Sequence, residues 1–524
     1  MLALIAALLL FLTAAALGAA RLLRASVGVR WLVAALGCLL AWSLALAARM
    51  QIPAQIIQVN WQPAVNTAAG ALPPLTLILD EISWRYAAAL TTLATVVILT
   101  VAARPGATNW RAWAGTLILA GLGALAVLAG NVLTLLLCWA ALDLAELFIL
   151  LTQIRQPSVS QGAALAFAAR SGGVFLLAVV VIPGGGMLAA LPDWEHLPAA
   201  AGLYVLLAVT LRMGVAPLHL PFSQEPLIRR GLGTSLRLAP ATASLALLTR
   251  AAAAGSIAAD WAGVLTGLAG ISALYGALQW ALAADEMNGR PFWVLSLASF
   301  ASAAAVLAQP QAVMAWVLAM LLGGTNIFLY TARRRRLALL PWLSGVCISA
   351  LPLTPTWPAA ATLGRFAPAF MMLFLAAHAL LLFGYARHLL RPAAWLDATQ
   401  RWAWFVYPLG LALLPGVWFF VQAPLAWQIG GLEGLQQGWA GAASLGAAGL
   451  LALLARSHWR PPRALVGALE RFFSLAWLSG PLLLLYRLVE KFLALLSHLI
   501  EGEGGLLWVL VALALGASFL LGGR

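Results

Sequence analysis

Two acidic residues lie inside one of the most apolar stretches of the sequence. Asp143 and Glu146 fall within NVLTLLLCWAALDLAELFILL, and their spacing of three residues places them on one face of a helix. Two carboxylates this close repel each other, which favours a protonated form near neutral pH and suits a proton relay. The structural alternative is an ion pair with an arginine of a neighbouring span. Arg170, near the middle of the apolar stretch 162–182, is the nearest such cation in sequence.

A second group of candidates lies in the segment LRMGVAPLHLPFSQEPLIRRG. Pro217 and Pro221 remove backbone donors at membrane depth, so we expect the helix to break there and to line a cavity or pack on protein. Arg212 precedes this break, His219 lies within it and Glu225 follows it. Histidine titrates near neutral pH and can carry protons. The alternative is a proline kink around a histidine with satisfied hydrogen bonds.

Two more ionisable residues interrupt later apolar stretches. Arg237 is an intramembrane cation followed by a proline, and His378 stands alone in FMMLFLAAHALLLF, where it is either a packed histidine or a relay group. A second predicted helix break carries Pro352 and Pro355. Two proline-broken spans in corresponding halves of a chain are typical of transporters built from inverted repeats.

The elements that hold these residues are predicted to be membrane-spanning helices. The chain has 524 residues, of which 63% are hydrophobic and 9% are charged, whereas a soluble domain carries about 25% charged residues. Apolar runs long enough to cross a bilayer follow one another along the chain, and we expect roughly 14–17 transmembrane helices. The predicted spans lie near 1–20, 31–49, 84–103, 112–128, 130–153, 162–182, 199–220, 233–254, 258–284, 292–308, 311–332, 337–353, 366–387, 403–421, 439–455 and 506–521.

Arginines alternate between successive loops and predict the orientation. Arg21, Arg24 and Arg30 follow the first span, and every second loop up to residue 336 carries further arginines, while Arg49, Arg85 and Arg250 are exceptions near span ends. Because positive residues collect in cytoplasmic loops, we expect an outside N-terminus and a retained first helix. The same rule accounts for the net charge of +14, since the arginines are spread over short loops and do not form a nucleic-acid surface.

The segment 465–500 differs from the other apolar stretches because charges interrupt it. An apolar face with scattered charges predicts an amphipathic helix that lies along the membrane or against partner subunits, and a single crossing as a packed helix is the alternative. The charged residues of this segment are Glu470, Arg471, Arg487, Glu490 and Lys491.

The sequence offers no pattern for a metal or a cofactor. Cys38, Cys138 and Cys347 each stand alone in an apolar run, so we expect neither a zinc site nor an iron–sulfur cluster. No Rossmann glycine pattern, P-loop or nucleophile elbow is present, and catalysis by this chain alone is not expected.

Five segments of the chain carry recognisable motifs: LDEISWRYAAAL (79–90), NVLTLLLCWAALDL (131–144), RMGVAPLHLPFSQEP (212–226), ISALYGALQWALAADEMNGRPFWVLSLASFAS (271–302) and LPLTPTW (351–357). Together they resemble a known family, the antiporter-like proton-conducting membrane subunits of respiratory complex I, membrane hydrogenases and Mrp-type cation/proton antiporters. The similarity runs over residues 75–420, and the order and spacing of the motifs are more specific than any one motif.

The resemblance implies a domain organisation. We expect an all-α integral membrane protein with two inverted five-helix bundles, proline-broken helices and a hydrated polar axis at mid-membrane. The predicted parts are N-terminal helices over 1–110, a first bundle over 111–256, a second bundle over 257–421 and C-terminal helices over 422–524.

The sequence departs from the family at the residues that would carry protons. The glutamate that follows the tryptophan of the fifth helix is Ala140 here, with Asp143 or Glu146 about a turn further on as substitutes. The lysine of the seventh helix is Arg212. A buried lysine can be tuned to titrate, whereas arginine stays charged, so Arg212 can attract or gate ions but cannot carry a proton.

Further departures follow along the chain. The position of the family's Lys or His in the eighth helix falls near Leu236 or Arg237, and its Asp-x-Lys motif reads Asp285-Glu286-Met287. The histidine expected around 323–328 is absent, and the ionisable residue after the twelfth-helix break is replaced near Ala360, unless Arg365 serves. The fold is therefore expected to carry over better than the proton path.

The sequence is compatible with three functions. The first is a subunit that translocates protons or exchanges cations through a mid-membrane axis, in a plasma-membrane complex with NADH/quinone-type or hydrogenase-type partner subunits. The second is a structural or assembly subunit with a decayed axis. The third is the membrane partner of a bicarbonate-uptake complex, in which the zinc chemistry would belong to another chain.

Overall fold

The computed structural model describes residues 1–59, 74–101, 103, 109–153, 157–181, 194, 197, 199–216, 230–255, 261–331, 337–391, 402–428 and 439–456, together with 467 and 491. The chain divides into a compact unit, Met1–Trp459, and a second unit, Arg460–Arg524. Pro217, His219, Pro221 and Glu225, and the segments 465–466, 468–490, 492–500 and 506–521, lie outside the described residues.

The described part of the first unit consists of helices with one two-stranded sheet. The helices are α1 Leu2–Leu22, α2 Val27–Ala47, α3 Glu81–Val101, α4 Trp110–Leu128, α5 Val132–Gln153, α6 Pro157–Val181, α7 Ala199–Met213, α8 Arg230–Ala253, α9 Ala262–Leu282, α10 Glu286–Val306, α11 Pro310–Leu329, α12 Leu339–Ile348, α13 Trp357–Leu363, α14 Pro368–Leu389, α15 Ala403–Gln428 and α16 Trp439–Arg456.

The predicted all-α membrane class is confirmed. Within the described residues nine helices are long and apolar enough to cross a bilayer, and four shorter apolar helices accompany them. α3 and α8 pack against each other and against α4, while α5, α6 and α7 follow one another in contact from α4 back to α8. The inverted relation of the two predicted bundles and their boundaries stay predictions.

Several helices begin where the sequence places a capping residue. Ser26, Asn109 and Asp285 each accept a backbone N–H of the first turn of α2, α4 and α10, respectively. Asp80 and Ser83 exchange side-chain and backbone hydrogen bonds of 2.7 and 2.9 Å at the start of α3, which is the reciprocal pattern of a capping box.

A β-hairpin that the sequence analysis placed in a loop lies between α2 and α3. β1 (Ala54–Val59) and β2 (Leu75–Leu79) pair antiparallel. The hairpin is bonded to the start of α5, since Gly130 N–H donates to the Thr76 carbonyl at 2.8 Å and Thr76 N–H donates to the Thr134 hydroxyl at 3.0 Å. The hairpin therefore supports the N-terminal end of the helix that carries Asp143 and Glu146.

The helix break predicted around Pro352 and Pro355 is present. α12 ends at Ile348 and α13 begins at Trp357, and the freed backbone groups have partners. The Thr356 hydroxyl donates to the Cys347 carbonyl at 2.5 Å and accepts the Ala350 N–H at 3.0 Å. Irregular backbone is tolerated in apolar surroundings when its polar groups have such hydrogen-bond partners.

A π-helical turn interrupts α11 over Ala319–Gly323. A π turn leaves carbonyls without their regular helical donors, and the Trp293 indole N–H of α10 donates to the Met320 carbonyl at 3.1 Å. A glycine follows this turn, because a Cβ at Gly324 would lie 2.6 Å from the Trp293 indole nitrogen.

Gly324→Ala should therefore destabilise the chain. The added methyl must push the Trp293 indole away from the Met320 carbonyl, which we expect to cost about 1–3 kcal/mol. Thermal unfolding in detergent measures the effect. Gly446→Ala in α16 is the matched control, because a Cβ there meets nothing within 4 Å; equal stability of the two variants would contradict the role of the indole.

Candidate functional site

Asp143 and Arg212 form a buried ion pair between α5 and α7. The two guanidinium NH groups donate to the two carboxylate oxygens at 2.7 and 2.8 Å, so the pair is bidentate. Asp143 is 3% exposed and Arg212 is 1% exposed. A bidentate, charge-assisted geometry is the strongest form of such a contact, and it offsets part of the cost of burying two charges.

Arg212 has three further partners. Its Nε donates to the Ser244 hydroxyl of α8 at 3.1 Å, and one NH also donates to the Arg170 carbonyl at 3.1 Å. Its guanidinium carbon lies 4.3 Å from the centroid of the Trp139 ring, within cation–π distance. Arg212 thus joins α5, α6, α7 and α8 at one point.

Glu146 pairs with Arg170, one turn further along α5. Both residues are buried, at 4% and 7% exposed. Asp143, Glu146, Arg170 and Arg212 together form what we call the four-charge cluster. Two carboxylates and two guanidinium groups leave this cluster formally neutral, which is the condition under which charges are tolerated inside a bilayer.

Close packing of α6 on α7 holds this cluster together. A Cβ at Gly173 would lie 2.4 Å from Cγ of Arg212 and 2.7 Å from the Ala208 carbonyl. Only glycine lets the Arg212 stem pass between the two helices. The neighbouring Gly172 is less restricted, since its Cβ would meet Cδ2 of Leu211 at 3.2 Å.

α7 ends directly after Arg212, and glycine ends it. Gly214 has φ of +73°, the Val215 N–H donates to the Thr210 carbonyl, and the Gly214 N–H donates to the Leu211 carbonyl. This pair of bonds is the Schellman motif. The sequence analysis placed the break at Pro217 and Pro221; within the described residues the helix already ends at Met213, four residues before the first of them.

The other predicted ionisable residues are placed differently. Arg237 is buried on α8, the helix that also carries Ser244. His378 belongs to α14, and its Nε2 lies 3.0 Å from the Ile348 carbonyl at the helix break. Because a carbonyl only accepts, Nε2 is the donor of this hydrogen bond, and His378 thereby satisfies a backbone carbonyl at the helix break. Its ring also contacts the rings of Phe300 and Trp316.

Two further ion pairs were missed by the sequence analysis. Arg250, at the end of α8, donates to the Asp80 carboxylate at 2.8 and 3.4 Å, and its guanidinium lies 5.7 Å from the centroid of the Trp194 ring. At the other end of the same helix, Arg230 donates to Glu286 at 2.6 Å. The sequence analysis noted Arg250 as an exception to the alternation of arginines between loops, and this exception was the available sign that it has a partner.

α8 is thereby attached at three heights. Arg230, Ser244 and Arg250 contact α10, α7 and the residue before α3, respectively. Twenty residues at 1.5 Å per residue place the outer two contacts about 30 Å apart, the thickness of a hydrocarbon core. Polar groups therefore occur along the full length of this buried helix.

The four-charge cluster has the chemistry of a charge switch. A carboxylate can take up a proton, whereas both arginines stay charged. Protonation of Asp143 would remove the counter-charge of Arg212, whose remaining described acceptors are the Ser244 hydroxyl and the Arg170 carbonyl. The arrangement can thus couple proton binding to movement of a guanidinium group.

Comparison with known proteins identifies the fold of the chain through solved structures. No protein-family profile and no curated protein matches the sequence. A chain in the structure of the Mrp complex from Dietzia sp. DQ12-45-1b matches with a TM-score of 0.64 and 18% identity, covering 100% of this chain and 63% of that chain. The present chain therefore spans less than two thirds of that relative's length.

Two other solved complexes contain similar chains. One in respiratory complex I from Thermus thermophilus with bound NADH has a TM-score of 0.61 and 20% identity over 83% of this chain and 100% of that one. One in the membrane-bound sulfane sulfur reductase, an archaeal respiratory membrane complex, has a TM-score of 0.64 and 14% identity over 98% and 99% of the two chains. The antiporter-like fold expected from the sequence motifs is confirmed.

Gly173→Ala should disturb the four-charge cluster. The added methyl meets the Arg212 stem and the α7 backbone, so we expect a loss of thermal stability of about 1–3 kcal/mol in detergent. Gly172→Ala is the matched neighbour and should cost less, because it meets only the end of a flexible leucine. If Gly172→Ala were as damaging as Gly173→Ala, the proposed packing of Arg212 against α6 would be wrong.

Acid should weaken the contact between Asp80 and α8. Burial raises the pKa of Asp80, but Arg250 and the hydrogen bonds from Ser83 outweigh it and hold the pKa below its ordinary value. A carboxyl whose folded pKa is lowered stabilises the fold above its unfolded pKa of about 3.9 and loses that contribution as the pH falls through the folded pKa.

Thermal unfolding measured between about pH 6 and pH 3 tests this expectation. Asp80→Asn should be less stable than the natural chain at pH 6, and the difference should shrink toward pH 3. Glu81→Gln removes the half-exposed partner of Arg85 and should cost less, because a surface i,i+4 pair contributes only about 0.3–0.5 kcal/mol. A stability gap for Asp80→Asn that is independent of pH would contradict the assignment.

Proposed function

We propose that this chain is an ion-translocating subunit of a multisubunit membrane complex, in which protons cross the membrane through an axis that includes the four-charge cluster. In this proposal Asp143 and Glu146 bind the proton, and Arg212 and Arg170 stay positively charged. Each carboxylate pairs with its arginine when ionised and releases it when protonated. Arg237, His219, Glu225 and His378 are the further candidates for the path.

The bidentate Asp143–Arg212 pair carries the proposal. Replacing a buried ion pair by well-packed apolar residues is often neutral or stabilising, so stability alone is a poor reason to bury four charges among transmembrane helices. Ionisable residues inside membrane spans mark ion pathways and proton relays and are functional candidates by default. Arg212 keeps a hydroxyl and a carbonyl acceptor if Asp143 is protonated, which matches what a switch needs.

The setting of the chain supports the same function. Its fold is shared with chains of the Mrp complex, of respiratory complex I and of the sulfane sulfur reductase complex. We extend the proposal to a place among other membrane subunits in the plasma membrane, with redox partners of the NADH/quinone or hydrogenase type supplying the energy. This chain itself supplies the path and no redox centre.

A structural or assembly role is the second candidate, and the second half of the chain favours it. Between residues 261 and 391 the sequence has two acidic residues, Asp285 and Glu286, and both stand at the beginning of α10. The apolar parts of the helices there carry no carboxylate that could pair with a buried cation. An axis complete in one half and without acids in the other suits a subunit that retains the fold and lacks through-conduction.

Proton flux in vesicles distinguishes the two candidates. The double variant Asp143→Asn with Arg212→Gln removes both charges of the pair, so no uncompensated charge is left buried and folding is expected to survive. The complex containing this variant should assemble and lose proton flux by about tenfold or more, as expected for a positioned proton-transfer group. A pH-sensitive dye inside reconstituted vesicles measures the flux.

The control and the single variant sharpen the test. Glu81→Gln removes a 54% exposed carboxylate that pairs with Arg85 of α3; this charge is not part of the four-charge cluster, so the flux should stay unchanged. Asp143→Asn alone strands the Arg212 charge, so a loss seen only in this single variant would report misfolding. Full flux in the assembled double variant would show that Asp143 is structural and would favour the assembly role.

A further inference from the structure

The turn between α1 and α2 carries an unusual arginine. α1 ends at Leu22 and α2 begins at Val27. The Arg24 N–H donates to the Arg21 carbonyl and the Ala25 N–H donates to the Ala20 carbonyl, which is the Schellman pattern at the end of a helix. Arg24 occupies the position of that motif that glycine normally fills, with φ of +56°.

An arginine held in the left-handed region costs conformational energy that glycine would not. Strain of this kind persists where the surrounding structure imposes it, and Ala308 holds the same left-handed position after α10. The backbone therefore does not account for an arginine at position 24, and what distinguishes this turn is its charge and its surroundings.

The charge of this turn is not neutralised by the described part of the chain. Arg21, Arg24 and Arg30 surround the turn, and the sequence contains no acidic residue before Asp80. None of the ion pairs found among the described residues involves these three arginines. The Nε of Arg30 is buried and has no hydrogen-bond partner.

The turn also has the apolar features of a membrane–water boundary. Leu22 and Leu23 are 85% and 82% exposed, directly beside the arginines. Tryptophans lie at the same ends of the neighbouring helices: the Trp110 ring comes within 3.9 Å of a Cβ built on Gly18, and the Trp31 and Trp402 ring centroids are 4.6 Å apart. Indole rings collect at the headgroup level of bilayers.

We propose that the α1–α2 turn is a binding site for an anionic phospholipid, with Arg21, Arg24 and Arg30 holding the phosphate and Leu22 and Leu23 reaching into the acyl layer. Guanidinium groups bind phosphate oxygens in a bidentate manner. Basic residues near the surface of an anionic leaflet are attracted to it. The arginine alternation predicts that this turn faces the cytoplasm, where such lipids are the available counter-charge.

Thermal unfolding of the detergent-solubilised full chain, titrated with phosphatidylglycerol or phosphatidylcholine, tests the proposal. Phosphatidylglycerol should raise the Tm of the natural chain, phosphatidylcholine should not, and added salt should weaken the effect. The triple variant Arg21→Gln, Arg24→Gly, Arg30→Gln should bind phosphatidylglycerol about tenfold or more weakly. Arg365→Gln, at an exposed arginine in another turn, is the matched control and should respond like the natural chain.

The single variant Arg24→Gly separates lipid binding from folding. It relieves the left-handed strain, so without lipid it should be at least as stable as the natural chain, while its gain from phosphatidylglycerol should fall. Native mass spectrometry should then show fewer retained phosphatidylglycerol molecules on both variants.

An unchanged response of the triple variant to phosphatidylglycerol would overturn the proposal. Equal responses to the two lipids, combined with loss of a co-purifying subunit from the triple variant, would overturn it in favour of an acidic protein partner at the same turn.

Discussion

The pair between Asp143 and Arg212 is the interaction around which the first half of the chain is organised. Its guanidinium group touches α5, α6 and α8 from the last turn of α7. Charges buried this deeply are tolerable only when every partner is in place, so the surrounding features follow from the pair. Gly173 gives the arginine stem its room, Gly214 ends α7 immediately beyond it, and the hairpin fixes the start of α5.

In the second half the irregular backbone is also satisfied by buried side chains, but these side chains are not ion-paired. At the break between α12 and α13, the backbone is satisfied by Thr356 and His378. At the π turn of α11, Trp293 fills the corresponding role. The irregular backbone described in this half is therefore supported without buried carboxylates.

Sequence reasoning reached the helices and part of the site for clear physical reasons. Apolar runs and arginine alternation report membrane crossing directly, and charged residues inside such runs are too costly to be accidental, so Asp143, Glu146, Arg170 and Arg212 stood out. The sequence could not say which acid pairs with which arginine, because both acids share one helix face and the choice depends on how closely α6 approaches α7. The hairpin was missed although AQIIQV and LTLIL are rich in strand-forming residues, since an apolar chain offers little contrast.

The three attachments of α8 limit how the molecule can work. A shift of this helix by a single residue would move each contact by about 1.5 Å along its axis. That displacement would stretch the bonds of 2.6 Å from Arg230 and 2.8 Å from Arg250 beyond hydrogen-bond length unless both arginine side chains changed rotamer. Sliding of α8 along its axis therefore disturbs an ion pair at each of its ends, whereas rotation of the side chains packed around it leaves both end pairs in place.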